Sequence, residues 1–374
     1  MNSSSIIKSE SKEIIKKYAV RSNTKATVQF LNTLVPYAAL FFLSMDSLTV
    51  SYWLSAFFIF LLSLFIVRIF MLMHDCGHKN LFHRQSLNTI GGFFTGVIVG
   101  MPQYVWSQHH NYHHSTNGNW DKYRGPLNIL TVDDYEKLPS GKQRLYRLSR
   151  NIALAPLGAF MYFIFNPRFN WILGSFKFIY EVAGKKLNNK HIPLKNIIAE
   201  NKSRFWKSGI EYLHMTLNNI VLLSIWFAAS WYFGAVTFFT VYIISLTLAG
   251  AAGIIIFTIQ HNFEDSYASD TQNWDYHIAA LRGTSFLTFP KVINWFGADI
   301  AYHHVHHLSA SIPNYQLAKC HHEYAHLFEE VTRLKIRDIA KAFSYILWDV
   351  KNHKLISVAQ YAQTKEQNGA GLKG

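Results

Sequence analysis

Residues 50–73 read VSYWLSAFFIFLLSLFIVRIFMLM, an apolar run that passes directly into His74. At 1.5 Å per residue, roughly 20 such residues cross the ~30 Å hydrocarbon core of a bilayer as a helix. Backbone buried in lipid must satisfy its own hydrogen bonds, so a run of this kind folds as a membrane helix. Three further runs share its character: residues 27–47, kinked by Pro36, and residues 209–231 and 235–259. The last two are joined only by Tyr232-Phe233-Gly234. Two other apolar segments are less suited to spanning. Residues 89–106 are interrupted by glycines and Pro102, and residues 151–165 are short; both are expected to be re-entrant or interfacial.

Composition supports a membrane setting over the two soluble domains that 374 residues would allow. Half the residues are apolar and only 16% are charged, against about 25% in average soluble chains. A formal charge of +14 accompanies no recognisable nucleic-acid module, so a nucleic-acid partner is not expected. The positive charge instead reports topology. The tight turns at 47–50 and 232–234 contain no Lys or Arg, whereas the N-terminal arm, the middle region and the C-terminal region hold nearly all of them. The positive-inside rule places those three regions in the cytoplasm. The expected fold is an all-α integral membrane protein with four transmembrane helices in two hairpins and a cytoplasmic helical cap. A basic cytoplasmic arm, residues 1–26, precedes a domain at 27–350, and residues 351–374 form a frayed tail. Amphipathic helices are expected at about 315–331 and 335–350. The N-terminus lacks a signal peptide's apolar core. Two cysteines, Cys76 and Cys320, give no disulfide framework.

Three dense histidine clusters follow long apolar segments: His74 with His78, then His109-His110-Asn111-Tyr112-His113-His114, then His303-His304-Val305-His306-His307. Residues three and four apart share one face of a helix. His74/His78, His110/His113/His114 and His303/His306/His307 therefore have the spacing of helical metal ligands. His261, at the end of the fourth run, is a ninth candidate. One metal takes about six ligands at most, and tetrahedral zinc takes four, so the count implies two ions. Imidazole suits zinc, copper, iron and nickel alike. The clusters lie where apolar helices emerge, so the reachable substrate is a lipid hydrocarbon. Attack on unactivated C–H bonds requires O2 and a redox metal.

The boxes His74-x-x-x-His78, His110-x-x-His113-His114 and His303-x-x-His306-His307 resemble those of the membrane fatty-acid desaturases, which are di-iron enzymes. The likeness extends through Trp106-Ser107-Gln108, Ser115-Thr116-Asn117-Gly118-Asn119, Gln260-His261-Asn262-Phe263-Glu264 and the stretch from Tyr302 to Tyr315. It covers roughly residues 30–330 and is strongest to bacterial acyl-lipid desaturases of the Δ12 or ω-6 kind.

The resemblance implies a fatty-acid desaturase domain over 27–350 in a multi-pass protein of the bacterial inner membrane, with termini and active site cytoplasmic. It implies two iron ions, O2 as co-substrate, and a cis double bond placed in a lipid-linked or thioester-linked acyl chain. Its implied iron ligands and catalytic residues are His74, His78, His110, His113, His114, His261, His303, His306 and His307. His109 and His304 are left out as surface or supporting histidines, and His321, His322 and His326 are taken as a polar helix face. Asp75 and Glu264, and less so Asp121 and Asp299, are candidates to orient the imidazoles. Trp106, Tyr112, Trp120, Phe263, Trp295 and Phe296 are candidate tunnel aromatics.

No His-Pro-Gly-Gly haem motif occurs, so electrons are expected from a separate ferredoxin or cytochrome b5 type donor. Three residues separate His74 from His78, where stearoyl-CoA-type desaturases have four, which weakens an acyl-CoA assignment. Δ9 or ω-3 regiochemistry, and a histidine-box hydroxylase or ketolase, remain alternatives. A metal transporter is disfavoured because the four runs hold hardly any ionisable residues beyond Arg68 and His214. Oligomeric state is left open.

Overall fold

The chain is described by a computed structural model over residues 3–264 and 266–370. Helix α1 (Ser3–Tyr18) precedes a hairpin of two long helices, α2 (Asn23–Asp46) and α3 (Tyr52–Gly77). Serines start both: Ser22 Oγ accepts from the Lys25 N–H and Ser51 Oγ from the Leu54 N–H, satisfying donors orphaned by the first turn. Helices α4 (Gln85–Ile98) and α5 (Gln103–Thr116) form a short helix–turn–helix. Gly100, at φ +71°, makes the turn, a conformation disfavoured for side chains with a Cβ. Each of these helices has 14 residues, about 21 Å long and short of the hydrocarbon thickness. The 89–106 segment is thus broken in two rather than continuous.

The next long helix differs from expectation. Residues 151–165 do not end as a short piece but run on into a helical stretch of 37 residues, α6 (Ile152–Asn188). Asn166-Pro167-Arg168 looks like a terminator, yet Pro167 falls where a helix tolerates it, in the first turn after a π-helical turn at Phe160–Phe165. Buried Arg168 serves the backbone there. It donates to the carbonyls of Phe163 (2.7 Å), Ile164 (3.3 Å) and Gly100, and to Asn219 Oδ1 (2.9 Å). Among the described residues, five helical stretches are therefore long and apolar enough to cross a membrane, one more than the four expected spans.

Helices α7 (Gly209–Phe233) and α8 (Ala235–His261) make the second long hairpin, turned by Gly234 at φ +85°. The main core lies between α2, α3, α6 and α8, where Leu62, Ile66, Ile69, Met73, Phe163, Phe238, Val241 and Leu246 pack together. The outer faces expose Val35, Phe57, Phe60, Phe227, Trp231 and Val236. An apolar girdle of that extent fits lipid contact.

The cap is not wholly helical, a correction to the all-α reading. It contains α9 (Tyr276–Arg282), α10 (His303–Leu308) and α11 (Asn314–Glu323). It also holds strands β1 (Leu130–Thr131), β2 (Ser285–Leu287), β3 (Thr332–Leu334), β4 (Tyr345–Asp349) and β5 (Lys354–Ser357). These make a sheet of order β1-β4-β5 and a parallel β2-β3 pair. The helix expected at 315–331 stops at Glu323, and the one expected at 335–350 gives way to β4. Tyr345-Ile346-Leu347-Trp348 is rich in residues that suit a strand, and both of its faces are covered. A short apolar run of this kind has no periodicity that separates it from a buried helix. Residues 354–370, expected as a frayed tail, form β5 and a helix, Val358–Ala370; residues 371–374 lie outside the described chain. At the other end, Ile7, Ile14 and Tyr18 of α1 are buried against Leu281, Val305 and Leu317 of the cap.

Candidate metal centre

Four elements deliver histidines to one place. His74 closes α3 and His78 caps it; His110, His113 and His114 come from α5; His261 is the last residue of α8; His303, His306 and His307 come from α10. All nine residues named from the sequence converge, and they do so as two groups. His74, His78, His110, His114 and His306 form one, and His113, His261, His303 and His307 the other. Within each group, one ring nitrogen per residue lies within 4.8 Å of all the others. The groups adjoin: the His114 and His307 rings stack with centroids 4.1 Å apart.

Helix geometry explains the division. Each residue turns an α-helix by about 100°, so residues four apart point almost the same way and adjacent residues diverge. His74/His78 and His110/His114 therefore stay together in the first group and His303/His307 in the second. The adjacent pairs His113-His114 and His306-His307 split between groups. Spacing alone puts each three-histidine box on one helix face; in the structure each box divides between the two groups.

The donor set suits cations. Eight of the nine are buried and His78 is nearly so. Ring nitrogens of His78, His113, His114, His303, His306 and His307 are sequestered without a hydrogen-bond partner. Buried polar atoms are ordinarily satisfied, so this many orphaned imidazole nitrogens around two small foci fits metal coordination. Burial, reinforced by neighbouring imidazoles, holds His110, His113, His114, His303, His306 and His307 well below the ordinary histidine value. They are neutral at pH 7, the form that ligates.

Two of the nine imidazoles have their tautomer set from behind. Asp75 Oδ1 lies 2.8 Å from His74 Nδ1, and Asp75 Oδ2 accepts from the Asn314 N–H at 3.0 Å. His261 Nδ1 donates to the Gly283 carbonyl at 3.1 Å. Both bonds leave Nε2 as the lone-pair nitrogen. The other carboxylates read as orienters are elsewhere. Glu264 accepts from Tyr345 Oη (2.8 Å) and Gln360, Asp121 from Thr271, and Asp299 from Asn294 (2.7 Å). Glu264 follows His261 by three residues, but the helix ends between them and its side chain turns to β4.

Of the aromatic candidates, Trp106 stacks on His110 at 4.5 Å and lies 5.8 Å from His74. Trp120 stacks on Trp348, Tyr112 is half exposed, and Trp295 and Phe296 pack against Phe65. Phe257 was missed, although it sits 5.2 Å from both His113 and His261. Its place one turn before His261 on α8 was the available signal. Tyr123, 4.8 Å from His113, was missed for want of any local pattern. His109 is exposed. His321, read as part of a polar helix face, is buried and bonded to buried His304.

An apolar helical bundle that fits a membrane, with imidazoles gathered in two groups where its helices end, is the kind of architecture a membrane metal protein has. The family model for fatty acid desaturases matches residues 51–338, and the chain belongs to that family of oxidoreductases. It is 32% identical to a fatty acid desaturase of Bacillus subtilis over 344 residues, 91% of this chain and 88% of that one. It is 25% identical over 254 residues to the sn-1 oleoyl-lipid 12-desaturase of a Picosynechococcus species, covering 67% of this chain and 63% of the relative. It is 22% identical over 249 residues to the acyl-lipid (9+3)-(E)-desaturase of Dimorphotheca sinuata, covering 66% and 60%. The chain thus spans somewhat under two thirds of these last two relatives.

Proposed function

We propose that the chain is an O2-dependent fatty-acyl desaturase that places a cis double bond in a lipid-linked acyl chain, at the Δ12 or ω-6 position. The observation that carries this reading is the meeting of nine imidazoles, in two adjoining groups, where apolar helices α3 and α8 end. One iron is assigned to His74, His78, His110, His114 and His306, the other to His113, His261, His303 and His307. Bound iron, with O2, supplies the oxidising power that an unactivated C–H bond demands. Overall, one hydrogen leaves each of two neighbouring methylenes. Two electrons and two protons come from outside, and O2 becomes two waters as the carbon–carbon double bond forms.

The chain's own residues position and enclose. Asp75 and the Gly283 carbonyl hold His74 and His261 in register. Trp106 and Phe257 wall the two groups with apolar surface, which keeps bulk water out and steers a methylene chain toward them. Electrons are assigned to a separate ferredoxin or cytochrome b5 type donor.

The basic regions favour a cytoplasmic cap and termini, in a bacterial inner membrane. Helix α6 carries Lys177, Lys185 and Lys186 in its second half, so we read it as leaving the bilayer core and lying along the interface. The four-span arrangement is kept on that basis. Residues 27–350 form the desaturase domain, flanked by arms at 1–26 and 351–374, of which α1 and β5 pack on it. The Δ12 position is supported by the name of the Picosynechococcus relative. Arg68 and Arg168 are each tied to backbone carbonyls, so they do not mark an ion path and support no transporter reading.

Expression in a host lacking polyunsaturated lipids, followed by fatty-acid methyl-ester analysis, tests the proposal. A new Δ12 diene is expected. A monoene made from saturated chains moves the reaction to Δ9, a hydroxy acid replaces desaturation by hydroxylation, and an unchanged profile refutes the proposal.

A further inference from the structure

Behind the metal centre, away from both groups, lies a second pair of histidines to which the proposed chemistry gives no role. His304 and His321 are buried, and His304 Nε2 lies 2.8 Å from His321 Nδ1. They are boxed by aromatic rings: Phe328 lies 4.9 Å from His304 and stacks on His321 at 5.7 Å, while Phe286 of β2 is 4.7 Å from His321. Burying two imidazoles among aromatics is costly unless their hydrogen bond does something an apolar contact cannot.

What the bond fixes is the rotation of α10. This helix has six residues, too few to be stable alone. Yet it supplies His303 and His307 to one group and His306 to the other. A small turn about its axis would move all three ring nitrogens together. Its opposite face is His304 with Leu308, and Leu308 and Val305 pack into an apolar cluster with Leu317 and Cys320 of α11. Apolar contacts tolerate a sliding or rolling helix. The His304–His321 bond is directional and ties α10 to α11 in one register.

We propose that His321, acting through His304, is a positioning residue for the third histidine box. It sets the rotation at which α10 presents His303 and His307, half of the four-histidine group. The proposal rests on reading the two groups as iron sites.

The test compares His321→Asn, whose amide falls where Nδ1 lies, with His321→Gln, whose amide falls a bond farther out. Both are polar and of similar size, and His322→Leu, at the exposed neighbour, serves as control. Iron affinity is measured by chelator competition on purified protein, together with the Mössbauer spectrum. His321→Asn and His322→Leu are expected to match wild type. His321→Gln is expected to bind the iron of the four-histidine group about 10-fold or more less tightly, with that group's quadrupole doublet altered more than that of the five-histidine group, which takes only His306 from α10. Equal affinity and identical spectra for the Asn and Gln variants would overturn the positioning role. Loss of iron from wild type itself would instead overturn the metal assignment, so the two failures are distinguishable.

Discussion

Asp75→Asn is the sharpest perturbation of the centre, because the exchange keeps shape and removes one acceptor. Asp75 uses both oxygens, Oδ1 toward His74 Nδ1 at 2.8 Å and Oδ2 toward the Asn314 N–H at 3.0 Å, and it is 2% exposed. An asparagine offers one oxygen, so one of those two N–H groups must face an amide NH2. A buried donor left unpaired costs about 1–3 kcal/mol. If His74 loses its partner, its ring is freed to rotate, and loss of such a supporting bond typically costs about 10–100-fold in metal affinity. That range equals about 1.4–2.8 kcal/mol, in line with the hydrogen-bond cost. The assay is chelator competition on purified protein, with thermal unfolding of the metal-free form alongside. The expected result is one iron weakened by at least about 10-fold and the other, held by His113, His261, His303 and His307, unchanged. Iron affinity within twofold of wild type at both sites would refute the orienting role of Asp75.

Other perturbations separate chemistry from scaffold. His306→Ala and His113→Ala are each expected to abolish product formation while the protein still inserts in the membrane, read by lipid analysis and membrane fractionation; near-normal activity in either would remove that residue from the ligand set. Arg168→Met leaves the carbonyls of Phe163, Ile164 and Gly100 without their shared donor, at about 1–3 kcal/mol for each group left unsatisfied, and is expected to lower the thermal midpoint of detergent-solubilised protein. Gly234→Ala forces a Cβ into φ +85°, ψ 136° at the α7–α8 turn, costing about 1–3 kcal/mol with little change in iron content. Burial first, then His322 and Arg333, pushes His321 down to about 4. A lowered folded-state value means the unfolded chain binds the proton more readily, so this contribution to stability is complete above about pH 6.5 and is lost as pH falls toward 4. Thermal unfolding of the metal-free protein from pH 7.5 to 5 should therefore show a shallower acid loss in His321→Leu than in wild type.

The long apolar helices and the histidines that converge were legible because each is a strong local pattern. Four apolar runs and the three boxes are contiguous in sequence, and His261 stands at a helix end. What escaped was set by tertiary contacts. The extension of α6 past Asn166-Pro167-Arg168 depends on Gly100 and Asn219, far away in sequence, giving Arg168 somewhere to donate. The fate of Tyr345–Asp349 was decided by Leu130 and Thr131, which pair with it as β1, and by Trp120, which stacks on Trp348. Asp75 was readable as a partner of His74 because the two are adjacent at the end of α3. Glu264 looked equivalent, but it lies past the end of α8, where backbone direction changes and proximity in sequence no longer implies a shared face. The split of each three-histidine box between two groups was implicit in the 100° step of a helix, yet only the meeting of α3, α5, α8 and α10 reveals which residue joins which group.

The central claim, two irons in unlike histidine groups of five and four, is tested most directly by metal analysis and Mössbauer spectroscopy of the purified, iron-loaded protein. About two irons per chain in two distinguishable environments are expected, with His78→Ala perturbing one environment and His261→Ala the other. A single iron per chain, or variants at His78 and His261 that disturb the same environment, would contradict the account.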